Sequence, residues 1–194
     1  MAATVCVDFS SGDLVLSKEH KKLQLRSAEE YRWIVYSSGV AFFLLIIDQI
    51  TKLMVEQRMV LGESIPVIKG FFSLTFVTNK GAAWGMFHGY GIVLFIIGVL
   101  VIIATLAFLR KLCEGYRERY MAILIVLSGV VGNSIDRIWR GEVVDFLDCY
   151  IKNHHWPAFN IADCAICVGI GIYMLSVLLR PAPEKAAEKS ENAN

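Results

Sequence analysis

The sequence predicts an all-α integral membrane protein with four transmembrane helices and a small β-rich segment on its outer side. Three observations lead there. The chain has 194 residues, 56% of them hydrophobic and 19% charged, and its mean hydropathy of +0.54 is above what a soluble domain of this size hides in one core. Four apolar runs are long enough to cross about 30 Å of hydrocarbon. The ionisable residues in or beside those runs gather toward one end of the helices.

Residues 1–32 mix charges and small polar residues without clear periodicity, and read as a solvated, partly disordered N-terminal extension. The first run is uncharged from Trp33 to Ile47 and continues through Asp48, Gln49 and Lys52 to Val55. It starts far into the chain and ends without a small-residue cleavage site, so it reads as a retained helix and not a cleavable signal peptide. Between Ile65 and Asn79, Val67, Phe71, Phe72, Leu74, Phe76 and Val77 accompany Pro66, Gly70 and threonines, a mix that favours short strands. Gly91 to Leu109 is wholly uncharged, Tyr120 to Ile135 is uncharged until Asp136 and Arg137, and Ala158 to Leu179 carries Asp163. The stretch 181–194, rich in Ala, Glu and Lys, reads as a solvated tail. The expected organisation is therefore an extension (1–32), a four-helix membrane domain (33–180) and a C-terminal tail (181–194), with no internal repeat.

Basic residues set the orientation. Residues 110–119 hold Arg110, Lys111, Arg117 and Arg119, whereas the longer stretch 139–158 holds only Arg140 and Lys152. The first loop is expected on the cytoplasmic side and, with four spans, so are both termini. Residues 56–90 and 139–158 then face outward. Nineteen Lys and Arg against eighteen Asp and Glu give a net charge of +1, so a nucleic-acid partner is not expected. The five cysteines, Cys6, Cys113, Cys149, Cys164 and Cys167, have neither disulfide-framework nor zinc-site spacing, and no metal or cofactor is expected.

An ionisable residue in a membrane span costs several kcal/mol unless paired or hydrated. Topology gathers Asp48, Asp136, Asp145 and Asp163 near the outer face, with Asn79, Asn133 and Asn160 at the same level. Asn133 and Asp136 are three apart, as are Asn160 and Asp163, so each amide shares a helix face with its carboxylate. Asp48 can pair with Lys52 four residues on. Asp136, followed by Arg137 and four from Arg140, reads as an ion-paired scaffold. Asp145 and Asp163 have no adjacent cation and are the two best placed to titrate. Two such carboxylates brought close together share a proton, which suits one to activate water while the other polarises a carbonyl.

Other polar and aromatic features have simpler readings. Asp48 and Asp136 read first as structural. Cys164 and Cys167 form a C-x-x-C that in an apolar helix is read as packing before redox chemistry. The adjacent His154 and His155 are read as loop residues before metal ligands, and Trp84, Trp139 and Trp156 as interface anchors. Gly81-Ala82-Ala83-Trp84-Gly85 can be a tight turn or a place where small residues let a substrate chain approach.

Four ordered blocks are more specific than any of these alone: Asp48-Gln49-Ile50-Thr51-Lys52, Asn79-Lys80-Gly81-Ala82-Ala83-Trp84-Gly85, Gly132-Asn133-Ser134-Ile135-Asp136-Arg137 running on to Val143-Val144-Asp145-Phe146, and Phe159-Asn160-Ile161-Ala162-Asp163. On a four-span chain this set resembles the bacterial lipoprotein signal peptidase family, signal peptidase II, over roughly residues 33–180. The resemblance implies an aspartic endopeptidase of the cytoplasmic (inner) membrane that cuts prolipoproteins just before a diacylglyceryl-modified cysteine, without a cofactor, as a monomer among membrane lipids. It implies Asp145 and Asp163 as the catalytic pair, the two that electrostatics also selects. It further implies that Asn133, Asp136, Arg137 and Asn160 shape the site, that Asn79 and Gly81 come from the outer segment cradling the substrate, and that Asp48, Gln49 and Lys52 support it. The chain departs from the family pattern in having Trp84 where phenylalanine is usual and in its longer N-terminal extension. Cys149, beside the active-site loop, has no account in this reading.

Two other functions use the same residues. A small proton or cation transporter explains buried carboxylates, but transport sites ordinarily lie near the midplane with access from both sides. A membrane chaperone or assembly subunit would use the polar residues to hold a partner helix, and would tolerate Asp145→Asn or weaken gradually.

Overall fold

The computed structural model describes the backbone of residues 10–27 and, with side chains, residues 28–81 and 89–180. Cys6, Ala82, Ala83, Trp84, Gly85 and the tail 181–194 lie outside the described residues. The element order is α1 (Ser10–Arg58), β1 (Ser64–Ile68), β2 (Phe72–Asn79), α2 (Gly91–Ala107), α3 (Leu109–Cys113), α4 (Arg117–Trp139), β3 (Val143–Ile151), β4 (His154–His155) and α5 (Ile161–Leu179).

Three helical stretches, Ala28–Arg58, Arg117–Trp139 and Ile161–Leu179, are long and apolar enough to cross a membrane. The fourth expected run is divided. Its helix α2 has 17 residues, about 25 Å at 1.5 Å per residue, and stops where Phe108 leaves the helical conformation before the short α3. At the N-terminus the structure departs from the expected irregular extension: α1 is one helix of 49 residues. Residues 10–32 are rich in Leu, Lys and Glu, all good helix formers, and no proline precedes Pro66 to stop them. The last turn of this extension is tied to the start of α4, since the Tyr120 hydroxyl donates to Glu30 and Arg117 pairs with Glu29 at 3.4 Å.

Helix α4 is the hub, packing against α1, α2 and α5. Its inner face buries Tyr120, Ile123, Leu124 and Leu127 with Cys113, while the outward faces of α1, α2 and α5 expose Phe42, Phe43, Ile96, Leu100, Val168 and Leu175, as suits a hydrocarbon surrounding. Burial in that cluster pushes the Cys113 thiol up to about 12, so it packs as a hydrophobe. Two glycines let α4 and α5 approach closely: a Cβ on Gly129 would lie 2.2 Å from the Ala162 carbonyl oxygen, and one on Gly169 would lie 2.7 Å from that of Ala122. Gly129→Ala is therefore expected to destabilise the protein by about 1–3 kcal/mol and to reduce activity by displacing the start of α5. Thermal unfolding in detergent beside an activity assay checks this.

The strands form one antiparallel sequence, β1-β2-β3-β4. Strands β1 and β2 fall in the expected segment. Strand β3 was not expected, because 139–158 reads as a loop. Its register sets Asn79 opposite Val143 and Val77 opposite Asp145, with an irregularity between Leu74 and Val77. Val55 at the end of α1, Val144 and Phe146 form the small core beneath the sheet, with Leu74, Phe76 and Ile161 packed around it.

Candidate active site

Asp145 sits on β3 and is 3% exposed. Asp163 sits in the first turn of α5, three residues after the N-cap Asn160. Asn160 brings the two together. Its side-chain oxygen accepts from the Asp163 backbone N–H (3.0 Å), and its own backbone N–H donates to Asp163 Oδ2 (3.2 Å), a reciprocal capping box. Its amide nitrogen donates to Asp145 Oδ1 at 2.7 Å. The helix thus begins at Ile161, not at Ala158 as the apolar run suggests, because Asn160 satisfies the first-turn donors and Pro157 precedes it. Asn133 completes the floor, donating from Nδ2 to Asp163 Oδ1 at 2.8 Å while its oxygen accepts from Asn160 Nδ2 at 3.1 Å.

Behind the amides lies a buried ionic cluster. Lys52 is fully buried and donates to Asp48 Oδ2 and Asp136 Oδ2, both at 2.8 Å, and to Asn133 Oδ1 at 3.0 Å. These three acceptors match its three N–H groups. Lys52 therefore presents only donors to the Asn133 oxygen, so the Asn133 amide nitrogen must face Asp163. Gln49 Nε2 links Asp48, Asp136 and the Gly132 carbonyl. The two carboxylates also hold the site's elements: Asp48 accepts from Ala162 N–H at 2.8 Å through its other oxygen, Oδ1, and Asp136 accepts from Val144 N–H at 3.3 Å through the same Oδ2 that meets Lys52. The structural reading of Asp48 and Asp136 agrees with this geometry.

Of the two arginines expected beside Asp136, Arg140 makes the ion pair. Arg140 bonds Asp136 Oδ1 at 2.8 Å and also chelates Glu56 at 2.9 Å. Arg137 has no such bond to Asp136 among the described contacts; it donates to the carbonyls of Asn133 and Gly81, both at 3.1 Å. The helical period explains the difference, since positions four apart share a face and adjacent ones do not. Arg137 thereby ties the segment after β2 to α4. On that segment Asn79 donates to Asp145 Oδ2 at 3.3 Å and accepts from Gly81 N–H at 2.9 Å.

Asp145 and Asp163 open into a cavity of about 550 Å³ lined also by Asn79, Gly81, Asn133 and Arg137, by Trp156 to Phe159, and by Cys164, Ile166, Cys167 and Val168 of α5. Burial, and secondarily the charge of Asp163, push the Asp145 carboxyl up to about 7 against the opposing hydrogen bonds from Asn79 and Asn160. A carboxyl in that range serves as acid or base near neutrality. Trp156, expected as an interface anchor, instead lines this cavity together with Pro157, Ala158 and Phe159, a wall that no pattern in the sequence marks. For strand β3, on which Asp145 sits, the available signal is the β-branched and aromatic run Val143 to Ile151, interrupted by Asp145 and Asp148. His154 and His155, read as loop residues, form β4; His155 bonds to Asp148 and stacks on Tyr150.

Apolar helices enclosing a buried carboxylate network that opens to one pocket define a membrane enzyme. Two solved structures described as a bacterial membrane enzyme, at 2.3 and 1.9 Å resolution, match with TM-scores of 0.69 and 0.67 and 37% identity, over 74% of this chain and 87% and 92% of theirs. The chain belongs to the signal peptidase II family, a family of aspartic peptidases, whose model matches residues 40–179. Among curated relatives, the lipoprotein signal peptidase of Geobacter metallireducens is 47% identical over 69% of this chain and 85% of its own length. That of Halalkalibacterium halodurans is 41% identical over 79% and 97%.

Proposed function

We propose that this chain is a membrane aspartic endopeptidase that removes the signal peptide from prolipoproteins, cutting before the diacylglyceryl-modified cysteine. The observation that carries the reading is the convergence of Asp145 and Asp163 on one pocket through Asn160. Asp145, held near 7, takes the role of acid. Asp163 takes that of base, receiving hydrogen bonds from Asn133 and the Asn160 N–H at the positive end of α5. Asp163 removes a proton from water, the oxygen adds to the scissile carbonyl carbon, and Asp145 donates its proton to the carbonyl oxygen. The C–N bond then breaks as the proton on Asp163 passes to the leaving amine, and Asp145 recovers its proton as the carbonyl reforms. Asn79, Gly81, Asn133, Arg137 and Asn160 shape the substrate's path; Asp48, Gln49, Lys52 and Asp136 hold these groups in place.

In this reading α2 is the fourth span, the α3 end and both termini face the cytoplasm, and the sheet and carboxylates lie near the outer face of the bacterial inner membrane. The membrane domain covers residues 33–180, flanked by 1–32 and 181–194, and acts as a monomer. A lipidated cysteine keeps its acyl chains in the bilayer, which suits a cutting site at the membrane rim. The transporter reading is disfavoured because the carboxylates sit at the sheet end of the helices, bonded to β3 and the start of α5.

A pH profile tests the assignment of acid. Cleavage is expected to fall as pH rises through about 7, where Asp145 loses its proton. Stability follows the same sign: the folded protein keeps a proton on Asp145 that the unfolded chain releases in the ordinary carboxylate range, so this contribution is full below that range and is lost as pH rises toward about 7. A rate that instead climbs steadily from pH 6 to 9 rejects Asp145 as the acid.

A further inference from the structure

The wall from Trp156 to Phe159 is carried by the weakest strand of the sheet. Strand β4 has two residues, paired with Tyr150 and Ile151, and its turn holds Lys152 at φ 56, a left-handed conformation that a side-chain-bearing residue adopts at some strain. A two-stranded hairpin of this size is marginal without side-chain support. Pro157 has no backbone N–H to add a ladder bond. Among the described residues, main-chain bonds hold the two ends of the wall: Trp156 N–H donates to the Cys149 carbonyl at 2.8 Å, Phe159 N–H donates to that of Leu147 at 3.1 Å, and the Phe159 carbonyl accepts from Phe146 and Leu147 N–H at 3.0 and 2.8 Å.

One polar chain crosses all four strands and ends at this hairpin. Ser64 of β1 meets Thr75 of β2 at 2.8 Å, Thr75 Oγ1 donates to Asp148 Oδ2 of β3 at 3.1 Å, and His155 Nδ1 of β4 lies 2.9 and 3.1 Å from the two Asp148 oxygens. An ionised carboxylate only accepts, so the directions follow: Thr75 donates to Asp148, Ser64 donates to Thr75, and His155 carries its proton on Nδ1. The His155 ring also stacks on Tyr150, with centroids 4.7 Å apart and planes at 17°. Asp148 is buried, yet His155 stays half exposed at 54% of its side chain. The pair is thus a clasp over the hairpin, separate from the ionic cluster around Lys52.

We infer that His155, clasped by Asp148, is a positioning residue for substrate binding: it fixes the β3–β4 hairpin so that Trp156 to Phe159 stand as a preformed wall of the pocket. This rests on the reading of that pocket as the peptide site. The clasp touches neither Asp145 nor Asp163, so it acts on binding and not on the chemical step.

Three variants separate its parts. His155→Phe keeps an aromatic ring over Tyr150 and loses the bond. His155→Asn loses the ring but places an amide nitrogen where Nδ1 stood. Thr75→Val removes the support of Asp148 from β2. Each is assayed by steady-state cleavage of a synthetic diacylglyceryl-modified prolipoprotein peptide, with thermal midpoints compared. His155→Phe is expected to raise KM about fivefold, the worth of one net hydrogen bond, with kcat within about twofold. His155→Asn is expected to return KM to near the wild-type value, and Thr75→Val to raise it in the same direction as His155→Phe. Wild-type KM in His155→Phe overturns the inference. So does an equal KM rise in His155→Phe and His155→Asn, or a loss confined to kcat. Asp145→Asn, run in the same assay, keeps the two readings apart: if it still turns over, the peptidase assignment of the pocket fails, whereas an inactive Asp145→Asn beside an unaltered His155→Phe rejects the clasp alone.

Discussion

Asp145→Asn and Asp163→Asn are each expected to lower kcat/KM by about 1,000-fold or more, the scale of positioned acid–base groups, while the protein stays folded. The amide keeps the shape and one acceptor oxygen, so Asn160 and Asn133 retain partners at 2.7 and 2.8 Å, but it neither takes a proton from water nor gives one to a carbonyl. The stability side sharpens the test. Because the fold holds the Asp145 carboxyl at about 7, replacing it by a neutral amide removes a charge that the folded state disfavours. Asp145→Asn also loses the acceptor for Asn79 Nδ2, so its thermal midpoint relative to wild type should be higher above pH 7 than below it. Thermal unfolding across pH 5 to 9, alongside the cleavage assay, reads both. A variant that loses activity together with its fold would point to a structural role for Asp145 instead.

The largest expected effect on stability lies at Lys52. Lys52→Met leaves Asp48 and Asp136, both fully buried, facing a methyl group where an ammonium stood at 2.8 Å from each. Breaking a buried ion pair from one side typically costs about 3–5 kcal/mol. Arg140 compensates only Asp136, and only at its other oxygen. The loss reaches the floor of the site, because the Asn133 oxygen then keeps only Asn160 Nδ2 as its donor and the amide facing Asp163 is less firmly fixed. Lys52→Met with Asp48→Asn should recover part of the stability, since it removes one of the two stranded charges while the new amide oxygen still accepts from Ala162 N–H. Denaturation in detergent, comparing wild type with the single and double variants, measures the coupling directly.

Much of this site is legible in the sequence because its groups sit at fixed helical spacings. Asp48 and Lys52, Asp136 and Arg140, and Asn160 and Asp163 all meet as separations of three or four residues dictate. What spacing could not reveal depends on a sheet between the helices. Strand β3 carries Asp145 to its partners, yet its run is broken by Asp145 and Asp148, so it lacks the uninterrupted apolar pattern that marks a buried strand. Lys52 reaching Asp136 and Asn133 is likewise a tertiary fact, set by how closely α1 and α4 pack at Gly132, where a Cβ would lie 2.6 Å from Asp48. Arg137 misled in the opposite way: adjacency to Asp136 in sequence suggested a pair, while the helix turned its guanidinium toward Gly81. The N-terminal part of α1 is illegible for a different reason, since residues 10–32 have helix-forming composition without an apolar stripe.

The central claim is that one carboxylate pair cleaves a lipidated prolipoprotein at a defined bond. Its most direct test is mass spectrometry of the products made by the purified protein from diacylglyceryl-modified and unmodified forms of one prolipoprotein, with Asp145→Asn and Asp163→Asn in parallel. The account predicts a single cut in the modified form, leaving the lipidated cysteine as the new N-terminus, with no product from either variant. Cleavage at another bond, equal cleavage of the unmodified form, or a wild-type rate in either variant would contradict it.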